Sequence, residues 1–165
     1  MRKRGSYFFV LDAMIGGAIF LVTVIIIISS QLNTPDKRQS YLLANDVMYL
    51  LSTTKIIDFR NPYISTLAND GNITDYEQSL FLQISEFYYT NRTELAKNLT
   101  KAVLETVILE QYGVSYSIGD EIIYNRFMDR FNNSRMALTS RKLSFLIINE
   151  TTYFGPDVAE LKIWI

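Results

Sequence analysis

The sequence contains neither cysteine nor histidine. Without cysteine there is no disulfide framework and no thiol nucleophile. Without histidine there is no imidazole base, and the common ligand sets for zinc and iron are missing as well. The sequence also lacks a glycine-rich phosphate loop and a G-x-S-x-G nucleophile motif. We therefore expect a protein that is not an enzyme and that needs no cofactor or metal ion.

Proline and glycine are scarce, at three and seven residues, and the sequence has no low-complexity tract and no internal repeat. This composition is typical of an ordered domain. Charge is nearly balanced, with 16 basic and 17 acidic residues, and the basic residues cluster only within the first four positions. We therefore expect no nucleic acid partner, because a surface that binds nucleic acid needs concentrated positive charge.

The longest apolar run covers residues 6–28 and reads SYFFVLDAMIGGAIFLVTVIIII. At about 1.5 Å of rise per residue, a helix of this length spans the roughly 30 Å hydrocarbon core of a bilayer. Arg2, Lys3 and Arg4 precede the run, and such residues stay on the cytoplasmic side of a membrane. The sequence thus predicts three parts, which are a cytoplasmic leader or tail in residues 1–5, a transmembrane helix in residues 6–30 and an extracytoplasmic α+β domain in residues 31–165.

Small and polar residues recur within this run at spacings that place them on one helix face, namely Asp12, Ala13, Gly16 and Gly17. Ala13 and Gly17 form a small-xxx-small pair, which lets two helix backbones approach closely in lipid. Such a face suits self-association, although glycine is also frequent in membrane helices generally. Asp12 has two readings, as a functional carboxylate inside the membrane or as a carboxylate that reaches the headgroup layer.

The N-terminal region resembles the class III signal of type IV pilin-like proteins, particularly those of archaea. The resemblance rests on a short basic leader that ends in Gly5, followed by Ser6 and the apolar stretch, and then by a domain with helices before strands. It implies cleavage between Gly5 and Ser6 by a prepilin-type peptidase, and assembly through the apolar helix. In many pilins the fifth mature residue is a glutamate, whereas this chain has Val10 there and its acid at Asp12.

Two fates of the helix follow from the resemblance and from the sequence pattern. In the first, the protein is a filament subunit whose helix leaves the membrane to pack against the helices of other copies or of related pilin-like subunits. In the second, the helix is a permanent anchor of a single-pass surface glycoprotein or of an accessory subunit in a membrane or secretion complex. Both fates put the C-terminal domain outside the cytoplasm.

Five N-x-[ST] triplets, the acceptor pattern for N-glycosylation, occur after the helix, at Asn72, Asn91, Asn98, Asn132 and Asn149. The frequencies of Asn, Ser and Thr in this sequence would give about two by chance. The excess predicts a glycosylated outer surface, in agreement with the orientation derived from the basic cluster. Of the five acceptors, we expect Asn98 in a predicted helix and Asn149 at a predicted strand end to be the least readily glycosylated.

The first half of the outer domain is predicted to be helical. Thr34, Pro35 and Asp36 have the pattern of a helix start, either of a new helix to about Thr54 or of a first helix that continues with a kink at Pro35. Turn-forming residues predict a loop over residues 56–74. Two further helices are expected to form a hairpin, one opened by Asp75 and one capped by Thr93 and ending near Gly113.

The second half is predicted to be a small antiparallel sheet, because the apolar period changes to two at Val114. Residues 114–118 and 121–125 form a predicted hairpin around Gly119 and Asp120. Residues 126–141 are predicted to be a loop with one helical turn. Two longer strands, 142–149 and 159–165, are then expected on either side of a turn at Gly155, Pro156 and Asp157. In the last strand the predicted core face consists of Ala159, Leu161, Ile163 and Ile165, and Glu160, Lys162 and Trp164 point away from it.

Overall fold

The computed structural model describes residues 4–32, 37–149 and 152–165. It divides into two compact units, which are treated separately here, and the second of them is Arg38–Ile165. The first unit contains helix α1, Arg4–Leu32. The helices that follow are α2 (Lys37–Thr53), α3 (Pro62–Asn69), α4 (Leu80–Tyr89) and α5 (Thr93–Val107), and the strands are β1 (Gly113–Ile118), β2 (Glu121–Arg126), β3 (Ala137–Asn149) and β4 (Thr152–Trp164). The predicted α+β class, with an apolar N-terminal helix, further helices and a C-terminal antiparallel sheet, is confirmed.

The four strands form one antiparallel sheet in the order β2–β1–β4–β3. The predicted hairpin of β1 and β2 is confirmed, since Ile118 pairs with Glu121 across the two-residue turn. Gly119 opens that turn with φ of +60°, a conformation that glycine adopts without steric cost. Strands β2 and β3 therefore form the two edges of the sheet.

Helices α4 and α5 pack on each other and on one face of the sheet, α4 against β3 and α5 against β2. The apolar faces of the two helices account for this layer, because Ile84 and Phe87 of α4 and Leu99 of α5 are fully buried. Tyr116 and Leu161 fill the same core from the sheet side. Burial of such side chains contributes about 1.5–3 kcal/mol each, so this layer is a large source of stability in the unit Arg38–Ile165.

The prediction of a loop over residues 56–74 is wrong. A short 3₁₀ helix covers Ile56–Asp58, and α3 follows with Ile64 and Leu67 buried. The side chain of Asn61 accepts a hydrogen bond from the backbone N–H of Tyr63 at 2.9 Å. Asn61 and Pro62 are thus the N-cap and the first residue of a helix. The same two residue types are also typical of a turn, which explains the wrong prediction.

Helix boundaries also differ from prediction. Helix α4 begins at Leu80 rather than at Asp75, because Asp75 accepts the N–H of Glu77 in a local turn and Ser79 caps the N–H of Leu82. In α5, Thr93 is the first helical residue rather than the cap, and the helix ends at Val107, well before the predicted end near Gly113. The predicted start at residues 34–36, including a kink at Pro35, lies outside the described residues.

Strands β3 and β4 are longer than predicted, and the predicted turn between them is wrong. Gly155, Pro156 and Asp157 lie within β4, opposite a register shift between Ser144 and Leu146 of β3. A β-bulge of this kind accommodates a proline inside a sheet, because the extra residues leave the regular hydrogen-bonding pattern. The segment predicted as a loop up to residue 141 contains a 3₁₀ helix, Met128–Asn133, and β3 already begins at Ala137.

Trp164 lies on the face of β4 opposite the core residues Leu161 and Ile163, as its place in the alternation predicts. It is buried all the same, with only 2% of its surface exposed. The 3₁₀ helix Met128–Asn133 lies over this end of the sheet, with the ring of Phe131 edge-on to the indole at 5.1 Å between centroids. Gly113 pairs with Trp164 in the neighbouring strand, and a Cβ atom at that position would overlap with the indole. Ile165, assigned to the core face, is instead exposed.

Residues 143–149 and 152–158 form a hairpin arm that extends beyond the last pair of β1 and β4, Ile118 with Ala159. Tyr89 of α4 fixes one face of this arm. Its hydroxyl lies 2.9 Å from the Asp157 carboxylate and 3.1 Å from the Ser144 carbonyl, and its ring stacks on Phe154. Burial, together with the neighbouring Asp157, raises the pKa of Tyr89 to about 12, so the hydroxyl remains a donor at neutral pH.

Candidate functional site

Helix α1 is the candidate site, because it is the one helix in the described part of the chain that is long and apolar enough to cross a membrane. Its 29 residues extend over about 43 Å, and the qualifying segment is Val10–Ser29. Every side chain in that segment is exposed except that of Val24, which is half-buried. The predicted N-terminal apolar helix is therefore confirmed as a helix and is compatible with a membrane anchor.

The residues predicted for helix packing lie in a continuous stretch of α1. Asp12 and Gly16 are four residues apart, as are Ala13 and Gly17, so the four side-chain positions lie on adjacent turns of one face. A Cβ atom on Gly16 or on Gly17 would meet no atom of the described chain within 4 Å. A helix-interior glycine costs about 1 kcal/mol relative to alanine. Packing within the chain therefore gives no reason for either glycine.

Asp12 is the one acidic residue of the segment Val10–Ser29. Its side chain is exposed, and it forms no ion pair with any residue that the structure describes. Thr23, another polar residue of α1, donates its hydroxyl hydrogen to the Ile19 carbonyl at 2.8 Å and is satisfied within the helix. Asp12 thus differs from Thr23, because its carboxylate needs water, a headgroup or a partner outside the described chain.

Gly5 and Ser6, the candidate cleavage pair, lie in the first turn of α1. The first turn of a helix lacks part of its hydrogen bonding, because its N–H groups have no carbonyl partners one turn earlier. Opening the backbone there for a peptidase costs less than opening the helix interior. Arg2 and Lys3 of the basic cluster lie outside the described residues.

The candidate glycosylation sites are distributed over the unit Arg38–Ile165 rather than gathered in one place. Asn91 and Asn132 are exposed, in the connection between α4 and α5 and in the second 3₁₀ helix, and Asn98 is exposed on α5. Asn72 is half-buried after α3. Asn149 is the last residue of β3, and its side chain and the rest of its triplet lie outside the description. Asn91 also has a structural role, since its φ of +59° ends α4 and asparagine tolerates that conformation.

The triplet at Asn98 is expected to remain unmodified in the folded protein, because its hydroxyl residue, Thr100, is fully buried and donates to the Ala96 carbonyl at 2.7 Å. A glycosyltransferase that reads the triplet needs this hydroxyl. Mass spectrometry of glycopeptides from the native host should show modification at Asn91 or Asn132 and at least tenfold lower occupancy at Asn98. Equal occupancy at all three positions would contradict the expectation.

Two of the open clefts that the described residues form lie on the unit Arg38–Ile165, and the larger of these two, of about 630 Å³, runs between α5 and β2. Three of its polar residues, Arg126, Tyr124 and Glu105, form hydrogen bonds with one another or with the backbone. Arg126 donates to the Leu109 carbonyl at 2.8 Å, and Tyr124 donates to Glu105 at 2.9 Å. Burial, with Glu105 beside it, raises the pKa of Tyr124 to about 12.

The second cleft, of about 490 Å³, lies between the first 3₁₀ helix and α3. Among the described residues there is no group of three or more acidic side chains that could hold a metal ion.

The hairpin arm is not predicted from the sequence as a distinct feature, although β3 carries a visible signal in the alternation of Leu143, Phe145 and Ile147. The cleft between α5 and β2 has no such signal, since its lining residues come from separate elements. Comparison with known protein families, with curated proteins and with solved structures finds no match to this chain.

Proposed function

We propose that this protein is a subunit of a type IV pilin-like filament of the archaeal kind, held in the membrane by α1 before assembly. The observation that carries the proposal is the open small-residue face of α1. Gly16 and Gly17 weaken the helix by about 1 kcal/mol each, and no atom of the described chain lies where their side chains would be. A second helix packed against this face supplies a reason for both residues, because glycine permits close backbone contact.

Asp12 supports the same reading. A carboxylate on an apolar helix is costly unless it meets water or a partner, and Asp12 shares a face with Gly16. In a bundle of identical helices, this carboxylate lies close to the polar groups of neighbouring copies instead of to lipid. The N-terminal amine that cleavage after Gly5 would create is the strongest nearby candidate for its partner.

The proposed orientation puts the N-terminus in the cytoplasm and the unit Arg38–Ile165 outside the cell. The basic residues before α1 and the excess of glycosylation triplets after it support this orientation independently. The partners we propose are the membrane, other copies or related pilin-like subunits, and a prepilin-type peptidase. We propose a structural role with no catalytic activity, no cofactor and no nucleic acid partner.

The second candidate is a single-pass surface glycoprotein, or an accessory subunit of a membrane or secretion complex, that does not polymerise. Val10 favours it, because this is the position at which many pilins have the glutamate thought to meet the N-terminus of the neighbouring subunit. The two candidates differ in the fate of the bond between Gly5 and Ser6.

Mass spectrometry of the intact protein from its native host tests this difference. The expected mass is that of a chain that begins at Ser6, with any glycans removed enzymatically or chemically before measurement. The matched control is a Gly5→Leu variant, which the peptidase should leave uncut. A wild-type chain that begins at Met1 or Arg2 would contradict the filament proposal and favour the permanent anchor.

A further inference from the structure

The hairpin arm carries a second apolar surface that nothing in the described chain covers. Tyr89 and Ser85 of α4 hold one face of the arm, the latter through a 2.7 Å hydrogen bond with Ser144. The opposite face is exposed, with Phe145 at 55% and Tyr153 at 75% of their full accessible surface. We name this face the apolar stripe, and its residues are Leu143, Phe145, Ile147, Tyr153 and Val158.

Strand pairing explains why these residues share one face. Leu143, Phe145 and Ile147 alternate along β3, and side chains two residues apart in a strand point the same way. Leu143 pairs directly with Val158, and Ile147 with Tyr153, in the neighbouring strand β4. Side chains that are directly opposite in a sheet also point to one side. The apolar stripe is therefore a continuous surface and not a set of scattered residues.

The apolar stripe is large for an uncovered surface. Phe and Tyr side chains alone carry about 150–250 Å² each, so five apolar side chains at these exposures leave on the order of 500 Å² open. Patches of this size on soluble domains usually mark an interaction site. Two such surfaces placed face to face would bury on the order of 1,000 Å² in total, which reaches the lower limit for a specific protein interface.

We propose that the apolar stripe binds the same surface on a second copy of this chain, with the two hairpin arms packed face to face. All five residues of the stripe are uncharged, so identical surfaces can meet without repulsion between like charges. The nearest exposed cation on β3, Arg141, is held by Glu160 of β4. A two-fold contact of this kind is self-complementary and needs no other partner. The contact is separate from the proposed packing of α1, because it lies entirely within the unit Arg38–Ile165.

Photo-crosslinking in the full-length chain, reconstituted in liposomes, tests the contact. The photoreactive residue p-benzoylphenylalanine replaces Tyr153 in one chain and Tyr49 in a matched control. Tyr49 is a similarly exposed tyrosine, at 71%, on α2. Irradiation is expected to give a covalent dimer from the Tyr153 position and none from the Tyr49 position. Adding Phe145→Ser and Ile147→Ser should reduce the dimer yield about tenfold, which corresponds to a loss of about 1.4 kcal/mol from central apolar contacts.

A chain with Gly16→Leu and Gly17→Leu separates this contact from the packing of α1. The Tyr153 dimer should persist in that chain even when filaments are lost, and loss of the dimer there would overturn the arm as an independent surface. Equal dimer yields from Tyr153 and Tyr49, or a yield unaffected by Phe145→Ser and Ile147→Ser, would overturn the proposal. Cross-links from Tyr153 to lipid alone, identified by mass, would also overturn it and would assign the stripe to the membrane surface.

Discussion

Replacing Gly16 and Gly17 together by leucine is expected to abolish filaments while the protein stays in the membrane fraction. In α1 alone the leucines fit, because a Cβ atom at either position meets nothing in the described chain within 4 Å. Between two helices they would force the backbones apart and remove the close contact that small residues allow. Leucine also favours membrane insertion, by about 0.5 kcal/mol per residue. Filaments sheared from cells and counted by electron microscopy give one measurement, and carbonate-washed membranes give the other.

The control adds the same apolar bulk to the opposite face of α1. Ala18 and Ser29 are both exposed and, at about 100° of rotation per residue, lie away from the face of Gly16 and Gly17. Ala18→Leu with Ser29→Leu should therefore leave filaments at the wild-type level. Normal filaments in the glycine variant, or equal loss in the control, would contradict packing through this particular face.

Replacing Trp164 by alanine is expected to lower the free energy of unfolding of the unit Arg38–Ile165 by about 3–5 kcal/mol, as for other large buried aromatic residues. The indole is buried between Gly113 in the neighbouring strand and Phe131 of the second 3₁₀ helix, so its removal leaves a cavity that rigid strands cannot close. Urea denaturation of the full chain in detergent, followed by near-ultraviolet circular dichroism of its tyrosines, measures the change.

Tyr49→Ala is the matched control for Trp164→Ala, because Tyr49 is also aromatic but is exposed on α2. It should change the free energy of unfolding by no more than about 0.5 kcal/mol. A loss below about 1 kcal/mol for Trp164→Ala, or equal losses for the two variants, would show that the end of the sheet is not covered as described.

Much of the fold could be predicted from local patterns. Helix α1 needs only its length and its apolar residues, and the β1–β2 hairpin needs only alternation around Gly119 and Asp120. The apolar face of α4, with Ile84 and Phe87, also follows from helical spacing. In each case the residues that decide the structure lie within one turn or one hairpin of each other, so tertiary contacts do not need to be known.

The wrong predictions concern residues whose local pattern has two structural solutions. Asn61 and Pro62 fit both a turn and the start of a helix, and the burial of Ile64 against the core selects the helix. Pro156 fits both a turn and a bulged strand, and pairing with β3 selects the strand. Trp164 lies on the predicted face of β4, but it is buried because the distant Phe131 covers it, and strand alternation contains no information on such a cover.

The candidate site on α1 also has one part that the sequence predicts and one part that only the structure shows. The spacing of Asp12, Ala13, Gly16 and Gly17 is visible in the sequence. The structure adds that no atom of the described residues lies within 4 Å of a Cβ atom on either glycine. The apolar stripe cannot be predicted from spacing alone, since the pairs of Leu143 with Val158 and of Ile147 with Tyr153 depend on register shifts in β3 and β4. Such shifts follow from how Pro156 and its neighbours are accommodated and not from alternation alone.

The most direct measurement of helix packing uses the absence of cysteine from the chain. A single Ala13→Cys substitution puts one thiol on the proposed packing face of α1, and Ala18→Cys puts one on the opposite face. Both chains are oxidised in native membranes or in isolated filaments and analysed by non-reducing electrophoresis. The expected result is a disulfide-linked dimer from Ala13→Cys at a yield about tenfold above that from Ala18→Cys. Equal yields from the two positions, or no dimer from Ala13→Cys, would contradict the proposal that α1 packs against other copies through this face.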